Sequence, residues 1–175
     1  MTQKLLKVGI LTISDRASAG VYEDLSGKAI KDYLQDNMAS DWKSEYLLVP
    51  DSLSAIKKGI MQLADKHSCQ LLLTTGGTGP SSRDVTPEAT EAACSRMLPG
   101  FGERMRAASL EFVPTAILSR QTAGIRGNAL VINLPGKPKA IAECLDAVFA
   151  AIPDCIKLIG GPEIKINNDN AKIYH

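Results

Sequence analysis

Histidine and aromatic residues are scarce in this sequence. Only His67 and His175 occur, and aromatics make up 5% of the chain. His67 falls near the end of an expected helix, where a cation complements the dipole. His175 is the last residue, where mobility is expected. A Ser-His-Asp or Cys-His mechanism therefore lacks a well-placed base. The four cysteines, Cys69, Cys94, Cys144 and Cys155, make no C-x-x-C pair and match no common zinc spacing. They read as buried free thiols. No apolar run is long enough to span a bilayer as a helix. Charge of one sign is missing too: Lys+Arg is 20 and Asp+Glu is 19, a net charge of +1. That balance gives no support for nucleic-acid or membrane-surface binding. Internal repeats, low-complexity segments and linkers are absent, and the opening residues carry no signal-peptide pattern. The expectation is a cytoplasmic protein forming one domain over residues 1–175, with residues 168–175 a loosely held tail.

What is present is a regular alternation. Residues 5–14, 44–49, 71–75 and 129–134 are apolar runs expected as buried strands. Helical spacing marks residues 22–38, a stretch from 53 onward, 87–96, 101–112 and a long helix from 138, with Pro153 expected to kink or end it. Short extended pieces are expected at 116–123 and 125–127, on either side of Gly124, and an edge strand over 163–167. Alternating strands and helices with short connections predict an α/β three-layer sandwich, a mostly parallel sheet with helices on both faces. In such sheets ligands bind beyond the carboxyl ends of the strands. Ser14-Asp15-Arg16, Pro50-Asp51, residues 76–84 and Asn133-Leu134-Pro135-Gly136 each follow an expected strand, so parallel pairing would bring them to one edge.

The richest of these segments begins Gly76-Gly77-Thr78-Gly79 and reaches Arg83-Asp84, with Thr86 expected as N-cap and Pro87 as the first helical residue. Strand, glycine loop and helix N-terminus together suit an anion. No P-loop pattern occurs, and position 82 lacks the glycine of a dinucleotide fingerprint. A plain tight turn is the bland alternative, but three glycines followed by Arg-Asp exceed what a turn needs. Asp51 could merely cap its helix, and Asp84 could satisfy its own loop. Two carboxylates at neighbouring strand ends also suit a hydrated Mg²⁺ carrying phosphates. Arg16, Arg83, Arg120 and Arg126 could neutralise phosphate oxygens, Arg83 first among them and Arg126 last; the alternative for each is a surface ion pair. Gly136 allows close ligand approach, with Lys137 beside it. Ser14 and Asp15 could bind a ligand or close their own loop.

The run Thr74-Thr75-Gly76-Gly77-Thr78-Gly79-Pro80-Ser81-Ser82-Arg83-Asp84-Val85-Thr86-Pro87-Glu88-Ala89 resembles the signature of the molybdenum-cofactor biosynthesis proteins of the Mog type, the molybdopterin adenylyltransferases. Ser14-Asp15-Arg16, Val49-Pro50-Asp51, Pro99-Gly100-Phe101-Gly102-Glu103, Leu118-Ser119-Arg120 and Asn133-Leu134-Pro135-Gly136 fit the same family; no motif is recognised beyond Pro153. The resemblance implies that family's fold, a homotrimer, and AMP transfer from ATP to the terminal phosphate of molybdopterin with Mg²⁺, before hand-off to the molybdate-insertion enzyme. It implies that Asp51 and Asp84 are the functional aspartates. Around them it places Ser14, Asp15, Arg16, Gly76, Gly77, Thr78, Gly79, Arg83, Ser119, Arg120, Asn133, Pro135 and Gly136 as pocket or substrate-contact residues. Asp84 could hold the metal or the pterin. The competing expectations are a non-catalytic molybdopterin-binding or scaffold module, like the G domain of gephyrin, and an enzyme acting on another nucleotide or pterin.

Overall fold

The computed structural model describes residues 5–167. The expected loose tail at 168–175, including His175, lies outside the described residues. Six strands form one sheet in the order β2-β1-β3-β6-β5-β4. They are β1 (Leu6–Ile13), β2 (Trp42–Val49), β3 (Leu71–Thr75), β4 (Arg96–Met97), β5 (Ala123–Arg126) and β6 (Ala129–Leu134). The pairs β1–β2, β1–β3 and β3–β6 are parallel, and β5 runs antiparallel between β6 and β4. The helices are α1 (Asp15–Ser18), α2 (Leu25–Asn37), α3 (Leu53–Met61), α4 (Thr86–Ala93), α5 (Pro99–Leu110), α6 (Pro138–Val148) and α7 (Ile152–Leu158).

The side-chain period of two divides the core. On β3, Leu71 and Leu73 join the apolar cluster shared with α2, α5, α6 and α7, whereas Leu72 joins the one shared with α3 and α4. Both faces are therefore covered, giving a three-layer sandwich. Leu71, Leu72 and Leu73 are wholly buried, which favours folding by roughly 1.5–3 kcal/mol per side chain. That double burial explains why β3 and β6 read as unbroken apolar runs.

Several boundaries move. The second helix starts at Leu25 rather than at 22, because Asp24 caps it by accepting from Ser26 and Gly27 N–H. Residues 15–18 form the single turn α1, capped by Ser14. The helix at 86–93 is shorter than expected, and Arg96 and Met97 pair with β5 instead. Pro99 starts α5, since the first helical position needs no N–H. Residues 116–118, expected as extended, belong to a 3₁₀ turn over Pro114–Leu118. Pro153 sits in the first turn of α7, after α6 has ended at Val148 and a 3₁₀ turn has intervened. The expected edge strand at 163–167 is reduced to one antiparallel bridge between Met38 and Ile166.

Candidate functional site

The parallel strands β1, β2, β3 and β6 end side by side, and the four expected segments do meet there. Asp15 N–H donates to Asp51 Oδ2 at 2.8 Å, and Asp51 N–H donates to Asp15 Oδ1 at 2.8 Å. Thr75 Oγ1 donates to the Pro135 carbonyl at 2.8 Å, and Gly76 N–H donates to the Leu134 carbonyl at 3.3 Å. A cleft of about 110 Å³ opens between these ends, lined in part by Ser14, Asp51, Gly76 and Gly136.

Asp51 does not cap α3. Ser52 does, accepting from Ala55 N–H at 3.3 Å. One Asp51 oxygen is used by Asp15, and its carboxyl is pushed above the usual carboxylate range by burial and then by the negative charge of Asp84. Asp84 stands further along the same loop, where Oδ2 accepts from Ser81 N–H at 3.0 Å. A Cβ at Gly77 would lie 3.6 Å from Asp51 Oδ1, and one at Gly79 would lie 2.8 Å from Asp84 Oδ2. The loop thus lies against both carboxylates, Gly77 beside Asp51 and Gly79 beside Asp84.

Gly76 has φ +101°, and a Cβ there would lie 2.3 Å from the Ile13 carbonyl oxygen. Only glycine fits both the left-handed backbone and that close approach. The loop is closed by an interaction other than the expected N-cap. Thr86 is wholly buried, and its hydroxyl donates to the Gly76 carbonyl at 2.8 Å. Its own N–H donates to the Gly77 carbonyl at 3.1 Å. Val85, with no side-chain cap, precedes the helix. The threonine hydroxyl folds the loop back onto β3 rather than ending the helix.

The arginines separate by partner. Arg83 is ion-paired with Asp15, which ties the loop to the end of β1. Arg16 lies over the Tyr22 ring, 5.7 Å from its centroid. Arg120 Nε donates to the Gly79 carbonyl at 2.9 Å, another of its nitrogens binds the Asp84 carbonyl, and its guanidinium pairs with Glu88 on α4. Its N–H donates to the Thr78 carbonyl at 2.8 Å. Arg120, expected as a phosphate ligand, here clamps the glycine loop. Neighbouring Ser119 turns its hydroxyl to Gln121. Arg126 pairs with Asp65 and the Ala93 carbonyl. It ends an antiparallel strand, opposite Ala129 at the start of β6, and so lies at the other edge of the sheet from the cleft.

Asn133 is wholly buried. Its amide N–H groups donate to Thr74 Oγ1 at 3.0 Å and Thr90 Oγ1 at 2.9 Å, so the side chain joins β3 to α4 and does not face the cleft. Gly136, by contrast, does line it, while Pro135 meets the site only through its carbonyl, which accepts from Thr75. The cleft also contains Thr12, Tyr22, Asp24 and Ser26, none of them expected. The signal for Asp24 was the helix start Asp24-Leu25-Ser26-Gly27, obscured by placing the helix start at 22. Burial pushes the Asp24 carboxyl up, but hydrogen bonds from Thr12, Gly27, Tyr46 and Ser26 outweigh it and hold it below the usual range. A larger apolar cleft of about 340 Å³ between Leu98, Phe101 and Val148 shares no residue with the strand-end segments.

No group of three or more His, Cys, Asp or Glu able to hold a metal occurs among the described residues. Asp51 and Asp84 by themselves are too few for an all-protein cage. Two hard carboxylate donors that repel each other do fit Mg²⁺, which keeps several waters and takes further oxygens from phosphates. The arrangement can hold a polyphosphate on loop N–H groups and place a hydrated divalent cation between two carboxylates.

Among the described residues, no helix is long and apolar enough to cross a membrane. A molybdopterin adenylyltransferase of Helicobacter pylori is 54% identical over 169 residues, spanning 97% of this chain and 96% of that protein. Its counterpart in Escherichia coli K12 is 48% identical over 172 residues, spanning 91% and 88%. The crystal structure of the molybdopterin biosynthesis enzyme MoaB from Thermus thermophilus superposes with a TM-score of 0.82 at 42% identity, covering 91% of this chain and 99% of that one. The family model described as a probable molybdopterin binding domain matches residues 9–154, a span that runs from β1 through the strand-end cleft into α7, and the chain belongs to that family.

Proposed function

We propose that this chain is a molybdopterin adenylyltransferase of the Mog type, transferring AMP from ATP to the terminal phosphate of molybdopterin and releasing pyrophosphate. The observation that carries the reading is the glycine loop lying against both Asp51 and Asp84 at the strand ends, with Asp51 pushed above its ordinary range by burial and by Asp84. Relatives named for this activity, 48–54% identical over nearly the whole chain, support it. They do not favour a non-catalytic scaffold.

The nucleophile, a phosphate monoester, is largely ionised at neutral pH. No strong general base is needed, in keeping with a site that contains no histidine. Catalysis then rests on alignment and charge neutralisation at the α-phosphate. Loop N–H groups from Gly77 to Gly79 bind phosphate oxygens, while the Gly76 N–H stays on the Leu134 carbonyl. Arg120 and Thr86 hold that loop in shape. Arg83, on the exposed side, exchanges Asp15 for a phosphate oxygen. Asp51 and Asp84 would hold Mg²⁺, which supplies Lewis acidity and charge neutralisation when bound. Asp84 also accepts from pterin N–H groups. Residues 1–175 act as one unit, in the cytoplasm, as a homotrimer with one pocket per subunit. The adenylylated product passes to the molybdate-insertion enzyme.

The test is a purified assay for pyrophosphate release. Release with ATP and Mg²⁺ only when molybdopterin is present is expected. Asp51→Ala and Asp84→Ala should each lower kcat by roughly 10²-fold or more with an unchanged circular-dichroism spectrum. Near wild-type turnover in either variant would remove that residue from the mechanism. Absence of molybdopterin-dependent release in the wild type would overturn the assignment.

A further inference from the structure

Asp24 is the most heavily bonded carboxylate at the cleft, and the mechanism above does not use it. Its Oδ2 accepts from Thr12 Oγ1 at 2.6 Å and Tyr46 Oη at 2.7 Å; its Oδ1 accepts from Ser26 N–H and Gly27 N–H at 3.0 Å each. A carboxylate offers about four acceptor sites, so four donors leave it nothing for a metal or a substrate. These donors come from β1, from the edge strand β2 and from the first turn of α2. Asp24 thus fixes the start of α2 against the sheet.

That helix start reaches the opposite wall of the cleft. Ser26 Oγ donates to the Gly136 carbonyl at 2.7 Å. A Cβ on Gly136 would lie 3.5 Å from Gly76 Cα, so the two loops pack backbone to backbone. The connection runs from Tyr46 and Thr12 through Asp24 and Ser26 to Gly136, and so to Gly76 at the phosphate loop. Gly27 is what permits it. A Cβ at Gly27 would stand 2.3 Å from Asp24 Oδ2, 2.9 Å from the Tyr46 ring and 3.0 Å from Thr12 Oγ1.

We infer that Asp24 is a positioning residue for adenylyl transfer: acting through Ser26, it sets the Gly136–Gly76 wall that the nucleotide phosphates lie against. Asp24 does not touch the reacting atoms. The inference rests on the adenylyl-transfer reading for its kinetic consequence, but the mechanical link stands apart from it.

Two variants test it. Asp24→Asn keeps the cap of α2 but replaces one acceptor with a donor facing two hydroxyls. Ser26→Ala removes only the latch to Gly136. Each is expected to raise KM for ATP roughly 5- to 20-fold while kcat stays within about twofold, the pattern of lost uniform binding. The double variant should be no worse than the worse single one, since both act along one path. Amide exchange at Gly76, whose N–H binds the Leu134 carbonyl, should quicken in both variants, whatever the substrate. A merely structural cap predicts a lowered Tm with wild-type KM and unaltered exchange at Gly76. That outcome, or additive effects, overturns the proposal. If the wild type shows no molybdopterin-dependent turnover, the functional assignment fails, and the Gly76 exchange still decides this one.

Discussion

Asp15 and Asp51 bind each other's backbone: each carboxylate accepts the other's N–H at 2.8 Å. This reciprocal pair locks the end of β1 to the end of β2 and leaves one oxygen of Asp51 directed at the loop that carries Asp84. Asp51 feels the negative charge of Asp84, and a cation or a proton relieves that repulsion.

Burial and Asp84 both penalise ionised Asp51, so its folded pKa is raised. The ionised form therefore costs stability above that pKa, and the cost disappears as pH falls and the carboxyl is protonated. Replacing Asp84→Asn removes one of the two causes. Carboxyl-carbon NMR titration should show the Asp51 midpoint moving to lower pH in that variant. A midpoint that stays put would mean the two side chains do not sense each other. Mg²⁺ added to the wild type should shift the midpoint in the same direction.

Asp24 has the opposite sign. Its folded pKa is lowered, so its ionised form contributes stability that is fully present above the ordinary aspartate range and is lost as pH falls through the lowered value. Wild type and Asp24→Asn compared by urea denaturation should differ by a constant amount from pH 5 to 8. The gap should close below about pH 4. A gap that widens in acid would contradict the hydrogen-bond assignment.

The closure of the glycine loop rests on one buried hydroxyl. Thr86→Val keeps the shape but deprives the Gly76 carbonyl of its donor, a loss of about 1–3 kcal/mol. In a domain of this size the expected fall in Tm is roughly 2–12 °C. Gly76→Ala should cost more, because the methyl group would meet the Ile13 carbonyl. Thermal denaturation of the two variants checks both the sign and the order.

Arg120 grips three points of the loop and helix with a planar fork. Lysine has the charge without the geometry. Arg120→Lys should therefore loosen residues 76–85, seen as faster amide exchange there, and lower kcat/KM by roughly tenfold. A lysine variant with wild-type exchange and activity would reduce Arg120 to a surface ion pair.

The β3 and β6 spans, Leu71–Thr75 and Ala129–Leu134, were legible to the residue, because strands buried on both faces leave unbroken apolar runs between polar ends. The site was legible where glycine and aspartate follow such a run. Legibility failed where one residue type serves two structural ends. Thr86 has the chemistry of an N-cap, but its hydroxyl closes a loop ten residues earlier in the chain. Arg120 has the chemistry of a phosphate ligand, but a carboxylate on α4 and two loop carbonyls claim it first. Asn133 sits in a pocket motif, yet strand alternation turns its side chain inward to Thr74 and Thr90.

Periodicity and turn chemistry alone determined the alternation of strands and helices, the parallel sheet it requires and the edge where Asp51, Asp84 and the glycines collect. These are local or topological consequences, set by apolar runs, by residues without a Cβ and by the handedness of crossovers. Only the tertiary structure decided which polar groups meet: the Asp15–Asp51 exchange, the Thr86 closure, the Arg120 clamp and the Asp24–Ser26–Gly136 connection. Each contains a bond between residues ten to more than a hundred positions apart, and hydrogen bonds of such short range and strict direction are settled by packing that no local pattern records.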